Sequence, residues 1–295
     1  MTDIIDHKLI SRKRNGIFLP HFQGQRLADF PQALADILDK ENVHYYNGVY
    51  RVADSASYVM PATEDTLLKV HSQEMINMVK RMGRGLFEGA SYSAGVTVQA
   101  ALEIYRGNID NAFVFTGFGD HHAGRNYFGG MCYFNGAAVA IATLREKGMT
   151  RFAIVDTDSH HADGTRDIFG QDREVLHICF CFQDYSDGNN NVDVAIPCGI
   201  EDEALLQKVR EEFVPRVNTF RPELIFWEFG YDATRGEYGD KGLTRDCHLE
   251  ITRIIKSTAD ALCHGRLIAI LCGGSSRYLA TYIIPKIITQ MAELD

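Results

Sequence analysis

The sequence predicts an α/β fold: one domain with a mostly parallel central β-sheet and helices on both faces. Three observations carry that expectation. Four apolar, β-branched runs stand out as buried strands: NAFVFTG (111–117), FAIVDTD (152–158), ELIFWEFG (223–230) and RLIAILCGG (266–274). Helical patterns alternate with these strands, as a parallel sheet covered on both faces requires. Each run also ends in something chemically unusual: GFGDHHAG, DTDSHHADG, GYDATRGEYGD and CGGSSRY, in that order. Open parallel sheets bind ligands at the carboxyl ends of their strands.

Taken in order, the first helical pattern covers 62–83. Thr63, Glu64 and Asp65 stand near its start and Gly83 at its end, as helix termini prefer. Further helices are expected over 92–107, 202–217 and 246–265. The run GGMCYFNGAAVAIATL (129–144) combines glycines that permit close backbone approach with a small, apolar tail that starts a buried helix. No repeat, low-complexity segment or Pro/Gly/Ser-rich linker marks a boundary, so one domain over 1–295 is expected.

Hydrophobic residues make up 45% of the chain and charged residues 23%, enough to bury a full-sized core. The net charge of −9 argues against a nucleic-acid partner, and it leaves room for a cationic substrate. Seven cysteines are scattered with no CxxC pair, so reduced thiols and a cytoplasmic location are expected. The opening MTDIIDHKLISRKRNG is polar and basic without an apolar core, and no secretory leader is expected there. No stretch of 18 apolar residues occurs, so neither a membrane span nor a membrane partner is expected.

The stretch DTDSHHADG carries the chemistry. In extended backbone, residues i, i+2 and i+4 share a face, which puts Asp156, Asp158 and His160 together and turns His161 away. An Asp and a His two residues apart form a two-ligand claw suited to zinc, iron, manganese or cobalt. Asp232, at another strand end, is the natural third ligand. Such a site leaves a position open to polarise a carbonyl and acidify water. The plain alternative is a solvated turn, since Asp-Gly pairs are common turn residues. The second pair, His121 and His122, offers a general base and a neighbour that tunes it or relays protons.

In this order, GDHHAG, GMCYFNGAAVA, DTDSHHADGTRDIF, NVDVAIPCGIEDEALL and GYDAT resemble the histone deacetylase and acetylpolyamine amidohydrolase family, of the arginase/deacetylase fold. The segment PATEDTLLKVHSQEMINMVKR extends the resemblance toward the N-terminus. It implies Asp158, His160 and Asp232 as ligands of zinc, with ferrous iron as the other candidate. It implies His122 as general base with His121 as its electrostatic partner, and Asp156 and Asp163 as supports behind them. Gly130 resembles the glycine whose carbonyl holds the acyl-lysine amide, and Met131 stands at a tunnel-wall position. Asp156, Asp158, His160 and Cys179 match positions where the family holds a structural potassium ion, largely through backbone carbonyls.

Three departures matter. The family's Gly-Gly-Tyr reads Gly273-Gly274-Ser275 here, and the missing hydroxyl would have stabilised a tetrahedral oxyanion. Such a donor is worth about 10²–10³ in turnover. Tyr278, three residues on, is the uncertain candidate to replace it; Tyr238 and Tyr127 are others, and each is more simply read as loop packing. Asp120 precedes the histidine pair where relatives carry an apolar residue, so a more acidic rim is expected. The segment RMGRGLFEGASYSAG reads as a short loop with Glu88 as its only acid, which leaves little to grip a peptide backbone.

The function that results is a metal-dependent amidohydrolase removing an acyl group from an amine, such as acyl-lysine or an acylpolyamine. An arginase-like ureohydrolase is the alternative enzyme, although His161 stands where its second metal would want an acid. A weakly active or non-catalytic acyl-lysine binder is the alternative outside catalysis.

Overall fold

The computed structural model describes residues 13–20, 24–47, 58–188 and 190–294. Most of the opening segment considered for a leader therefore lies outside the described residues. Nine strands form one sheet: β1 (Asn15–Leu19), β2 (Val43–Asn47), β3 (Asn111–Val114), β4 (Phe152–Asp156), β5 (Val175–Cys181), β6 (Tyr185–Ser186), β7 (Asn191–Ala195), β8 (Leu224–Phe229) and β9 (Leu267–Leu271). Their spatial order is β2-β1-β3-β9-β8-β4-β5-β7-β6. Every described pairing is parallel except that of β6 with β7.

The four strands legible in the sequence are the four contiguous central ones, β3, β9, β8 and β4. Because they run parallel, their polar tails leave the sheet at one edge. Burial alternates as the pleat dictates. Ile225, Trp227 and Phe229 of β8 pack on one face against α7 (Asp202–Phe220), α8 (Cys247–Cys263) and α9 (Arg277–Met291). Leu224 and Phe226 face the other side, against α3 (Gln73–Arg81), α4 (Arg84–Tyr105) and α5 (Gly136–Arg145). The chain thus has two apolar layers, one on each face of the sheet, as expected of the fold class.

Two helix expectations need correction. The pattern over 62–83 is interrupted: α2 covers only Glu64–Leu67, and α3 begins at Gln73. Ser72 accepts a hydrogen bond from Met75 N and caps α3. His71, in the break, is buried; its Nδ1 donates to Gly124 O at 2.9 Å and its Nε2 accepts from Asn135 N at 3.0 Å. Burial lowers its pKa to about 4, so the ring is a neutral strut. The histidine that breaks the helix therefore ties together the loops after β3 and before α5. The segment read as a short loop is helical, since α4 starts at Arg84, and Glu88 is an exposed helical residue.

Asp120 is not on a rim. It is buried, and its carboxylate accepts from Gly136 N and, at 3.0 Å, from Ala137 N. It thereby satisfies orphan N–H groups at the start of α5. Burial raises its pKa to about 7 despite those bonds.

Candidate active site

The segments after β3, β4, β8 and β9 converge on one cavity of about 560 Å³. Its lining includes His121, His122, Gly130, Met131, Asp158 and His160. An outer depression of about 770 Å³ shares His122, Gly130, His160 and Tyr238 with it.

One ligand atom from each of Asp158, His160 and Asp232 lies within 4.8 Å of the others. His160 Nδ1 is 2.9 Å from Asp158 Oδ1 and 3.0 Å from Asp232 Oδ2. Gly273 N donates to Asp158 Oδ2 at 2.7 Å, and Ser159 Oγ donates to Asp232 Oδ2 at 2.5 Å. A Cβ at Gly273 would stand 2.4 Å from Asp158 Oδ2, so only glycine lets the backbone close over these carboxylates. Bonds to Asp158 and Asp232 push the His160 pKa up to about 10. Burial raises Asp232, and the Asp158 charge raises it further. Two buried carboxylates and an imidazole around an open cavity fit a divalent ion such as zinc or ferrous iron, because such an ion neutralises both charges.

Asp156 does not join that group. Its Oδ2 lies 2.6 Å from His121 Nδ1, and its Oδ1 accepts from Asp158 N at 2.8 Å. The strand alternation that grouped Asp156 with His160 fails because the backbone turns immediately after β4. Glu228, missed in the sequence, lies behind this pair at the end of β8. It is fully buried and accepts from Thr165 Oγ1 at 3.1 Å. Burial raises both Glu228 and Asp156; the Asp158 charge raises Asp156 further and the Asp156 charge raises Glu228. The hydrogen bond between them lowers Asp156 and raises Glu228, so Glu228 is the side that holds the proton they share.

His122 pairs through Nδ1 with Asp163. Burial raises Asp163, but the bond and charge of His122, with a bond from Tyr127, together outweigh it and the carboxyl lies below its usual value. With Nδ1–H donated to that carboxylate, Nε2 keeps its lone pair toward the cavity. Gly130 has φ +51°, and a Cβ there would stand 2.4 Å from His122 Cδ2. The chain therefore passes close over the ring only because the residue is glycine. Met131, 67% exposed, stands at the cavity mouth.

The candidate replacements for the absent tyrosine are placed apart. Ser276, two residues after Gly274, caps α9, and Tyr278 lies in the first turn of that helix with its side chain outward. Tyr278 is 67% exposed, accepts from Arg245 at 2.6 Å and does not line the cavity. Its placement follows the simpler reading of this residue as loop packing. Tyr127 lies behind His122, against Asp163. Tyr238 does line the cavity, and its ring stacks on His160 with centroids 5.7 Å apart.

Arg26 was also missed, because nothing local in GQRLAD marks it. Its guanidinium donates to Cys272 O at 2.6 Å, Gly274 O at 2.8 Å and Thr116 O at 3.2 Å, tying two strand ends together.

A second group, His161, Cys179, Cys181 and Asp193, also has metal-ligand atoms within 4.8 Å. Asp193 is already engaged by Arg166 at 2.5 Å and Gln183 at 2.8 Å, so its charge is met without a cation. Cys179 offers a soft sulfur that donates to His160 O at 3.8 Å.

The histone deacetylase domain model matches residues 31–291. A "Probable deacetylase" of Archaeoglobus fulgidus is 30% identical over 247 residues, covering 73% of this chain and 67% of that protein. The "Histone deacetylase-like amidohydrolase" of Pseudomonas aeruginosa is 28% identical over 246 residues, covering 73% of this chain and 65% of that protein. "Histone deacetylase 15" of Arabidopsis thaliana is 27% identical over 244 residues, with 72% of this chain and 44% of the relative covered. The crystal structure of the HDA15 HD domain superposes with a TM-score of 0.79 at 22% identity, covering 95% of this chain and 90% of that one, and shares the fold. The chain belongs to the histone deacetylase family.

Proposed function

We propose that this chain is a single catalytic domain that hydrolyses the amide of an acylated amine, of the acyl-lysine or acylpolyamine class. The observation that supports it most is the meeting of Asp158, His160 and Asp232, with Asp158, His160 and the Asp163-paired His122 lining one cavity. A divalent ion held by those three residues would supply Lewis-acid polarisation of the amide carbonyl and acidify water. His122 Nε2 accepts the proton as water oxygen bonds to the carbonyl carbon, and Asp163 steadies the resulting imidazolium. His122 then returns the proton to the departing nitrogen as the carbon–nitrogen bond breaks, leaving a free amine and a carboxylate. The Gly130 carbonyl would accept from the substrate amide N–H, and Met131 would line the acyl-chain passage. His121, fixed by Asp156, is the electrostatic partner of His122.

Ureohydrolase chemistry with a second metal finds less support. His161 turns to Cys181 and Asp193, with its Nδ1 3.6 Å from Cys181 Sγ, and no further acid joins the first group among the described residues. A pure binder has no use for a base oriented by a carboxylate. No helix among the described residues is long and apolar enough to cross a membrane, and all seven cysteines are free. The acidic net charge is in keeping with a cationic amine product.

The test is hydrolysis by the zinc-loaded chain of acetyl-lysine peptides, longer acyl-lysines and acetylpolyamines, followed by mass spectrometry. Release of amine and carboxylate from one class supports the proposal, and a full panel left intact by a metal-loaded chain contradicts it.

Metal affinity should also depend on pH in a defined direction. In the metal-free chain a proton on His160 bridges Asp158 and Asp232, held up to a pKa of about 10. Metal binding has to displace that proton, so affinity weakens as pH falls. Between about pH 8 and pH 6 the zinc Kd should rise about a hundredfold, one proton released per ion. Competition against a chromophoric chelator measures it, and a flat profile would show that no proton is displaced.

A further inference from the structure

We propose that Tyr238 donates the hydrogen bond that stabilises the oxyanion formed at the substrate carbonyl, a role that rests on the deacylase reading above. The residue at the usual position cannot do so. Ser275 Oγ donates to Glu237 Oε2 at 2.7 Å, and the same carboxylate accepts from Ser275 N at 3.0 Å and Ser276 N at 2.6 Å. Its hydroxyl hydrogen is therefore spent away from the cavity. Glu237, buried beneath this turn, and Arg26, which holds the carbonyls of Cys272 and Gly274, fix the loop from two sides.

The next residue after Glu237 is the one that reaches the space left open. Tyr238 lines both the inner cavity and the outer depression, at the neck between them, with its ring against His160. Its hydroxyl oxygen accepts from Gly274 N at 3.0 Å. The hydroxyl's own hydrogen has no acceptor among the described residues, and the ring that carries it lies against His160. A hydroxyl that accepts from a fixed N–H is polarised toward donation. Its position costs no rearrangement, because Gly274 is itself held by Arg26. Preorganised donors of this kind stabilise charge that develops on an acyl oxygen.

The step balances without proton transfer from Tyr238. As water oxygen bonds to the carbonyl carbon, the carbonyl π pair moves to oxygen, where the Tyr238 O–H donates. When the carbon–nitrogen bond breaks, that pair returns to the carbonyl and the amine takes its proton from His122.

The full zinc-loaded chain and its Tyr238→Phe variant provide the test, with Tyr278→Phe as control. Three quantities are measured: kcat and KM on the best acyl-amine substrate, the zinc Kd, and the calorimetric affinity of a trifluoromethyl ketone analogue of it, whose hydrate resembles the tetrahedral state. We expect kcat to fall about 10²–10³-fold with KM little changed, and ketone affinity to fall comparably. Zinc affinity should hold, and Tyr278→Phe should match the wild type. A Tyr238→Phe variant unchanged in kcat and ketone affinity overturns the proposal. So does a variant whose losses are explained by weaker zinc binding, which would make Tyr238 only a packing support for His160. A wild-type chain that neither hydrolyses acyl-amines nor binds the ketone overturns the deacylase reading, and this role with it.

Discussion

Asp232→Asn should abolish zinc binding and amide hydrolysis while leaving the metal-free protein about as stable as the wild type. Asp232 is buried at the end of β8, with Asp158 beside it. In the absence of metal its carboxyl is raised by burial and by the Asp158 charge, so the carboxylate is a cost to the empty fold. An isosteric amide removes that charge and still accepts from Ser159 Oγ, but it is a poor ligand for a dication. Losing Lewis-acid stabilisation of several kcal/mol corresponds to about 10³-fold or more in turnover. Thermal melts with and without zinc, together with metal analysis, check both halves. Zinc should raise the Tm of the wild type by mass action and leave the variant unmoved. A variant that still binds one zinc tightly would remove Asp232 from the ligand set.

The second large effect is expected from His122→Ala. A positioned general base contributes about 10²–10⁴-fold, and kcat should fall by that factor. The ring is partly exposed and contacts none of the three ligands through a hydrogen bond, so zinc content and Tm should stay near wild type. Asp163→Asn should give a smaller loss, because it disturbs the orientation of the base and leaves the base present. Steady-state kinetics with parallel metal analysis separates these cases from Asp232→Asn. Retention of wild-type kcat in His122→Ala would transfer the proton-acceptor role elsewhere.

Much of the fold was legible because the central strands are buried on both faces and read as unbroken apolar runs, each followed by polar residues. What escaped was decided by tertiary contacts. The run VLHICFC forms β5, but its His and Cys residues disguise a fully buried strand. Pro285 hides α9, whose apolar Ile283, Ile284, Ile287 and Ile288 are nonetheless buried along it. The break at His71 follows from its bonds to Gly124 and Asn135, more than fifty residues away in sequence. In the site, motif spacing sufficed to pick out Asp158, His160 and Asp232, which the fold brings together. It could not show that Asp120 turns inward or that Tyr238, in a segment that reads as an ordinary turn, enters the cavity.

The most direct measurement is zinc titration of the chelator-stripped chain, with bound metal and released amine counted in the same samples. Hydrolysis that rises in proportion to bound zinc and saturates at about one ion per chain is the expected result, one ion per three-ligand group. Hydrolysis that survives complete metal removal, or one tightly bound zinc per chain with every acyl-amine left intact, would contradict a metal-dependent deacylase built on Asp158, His160 and Asp232.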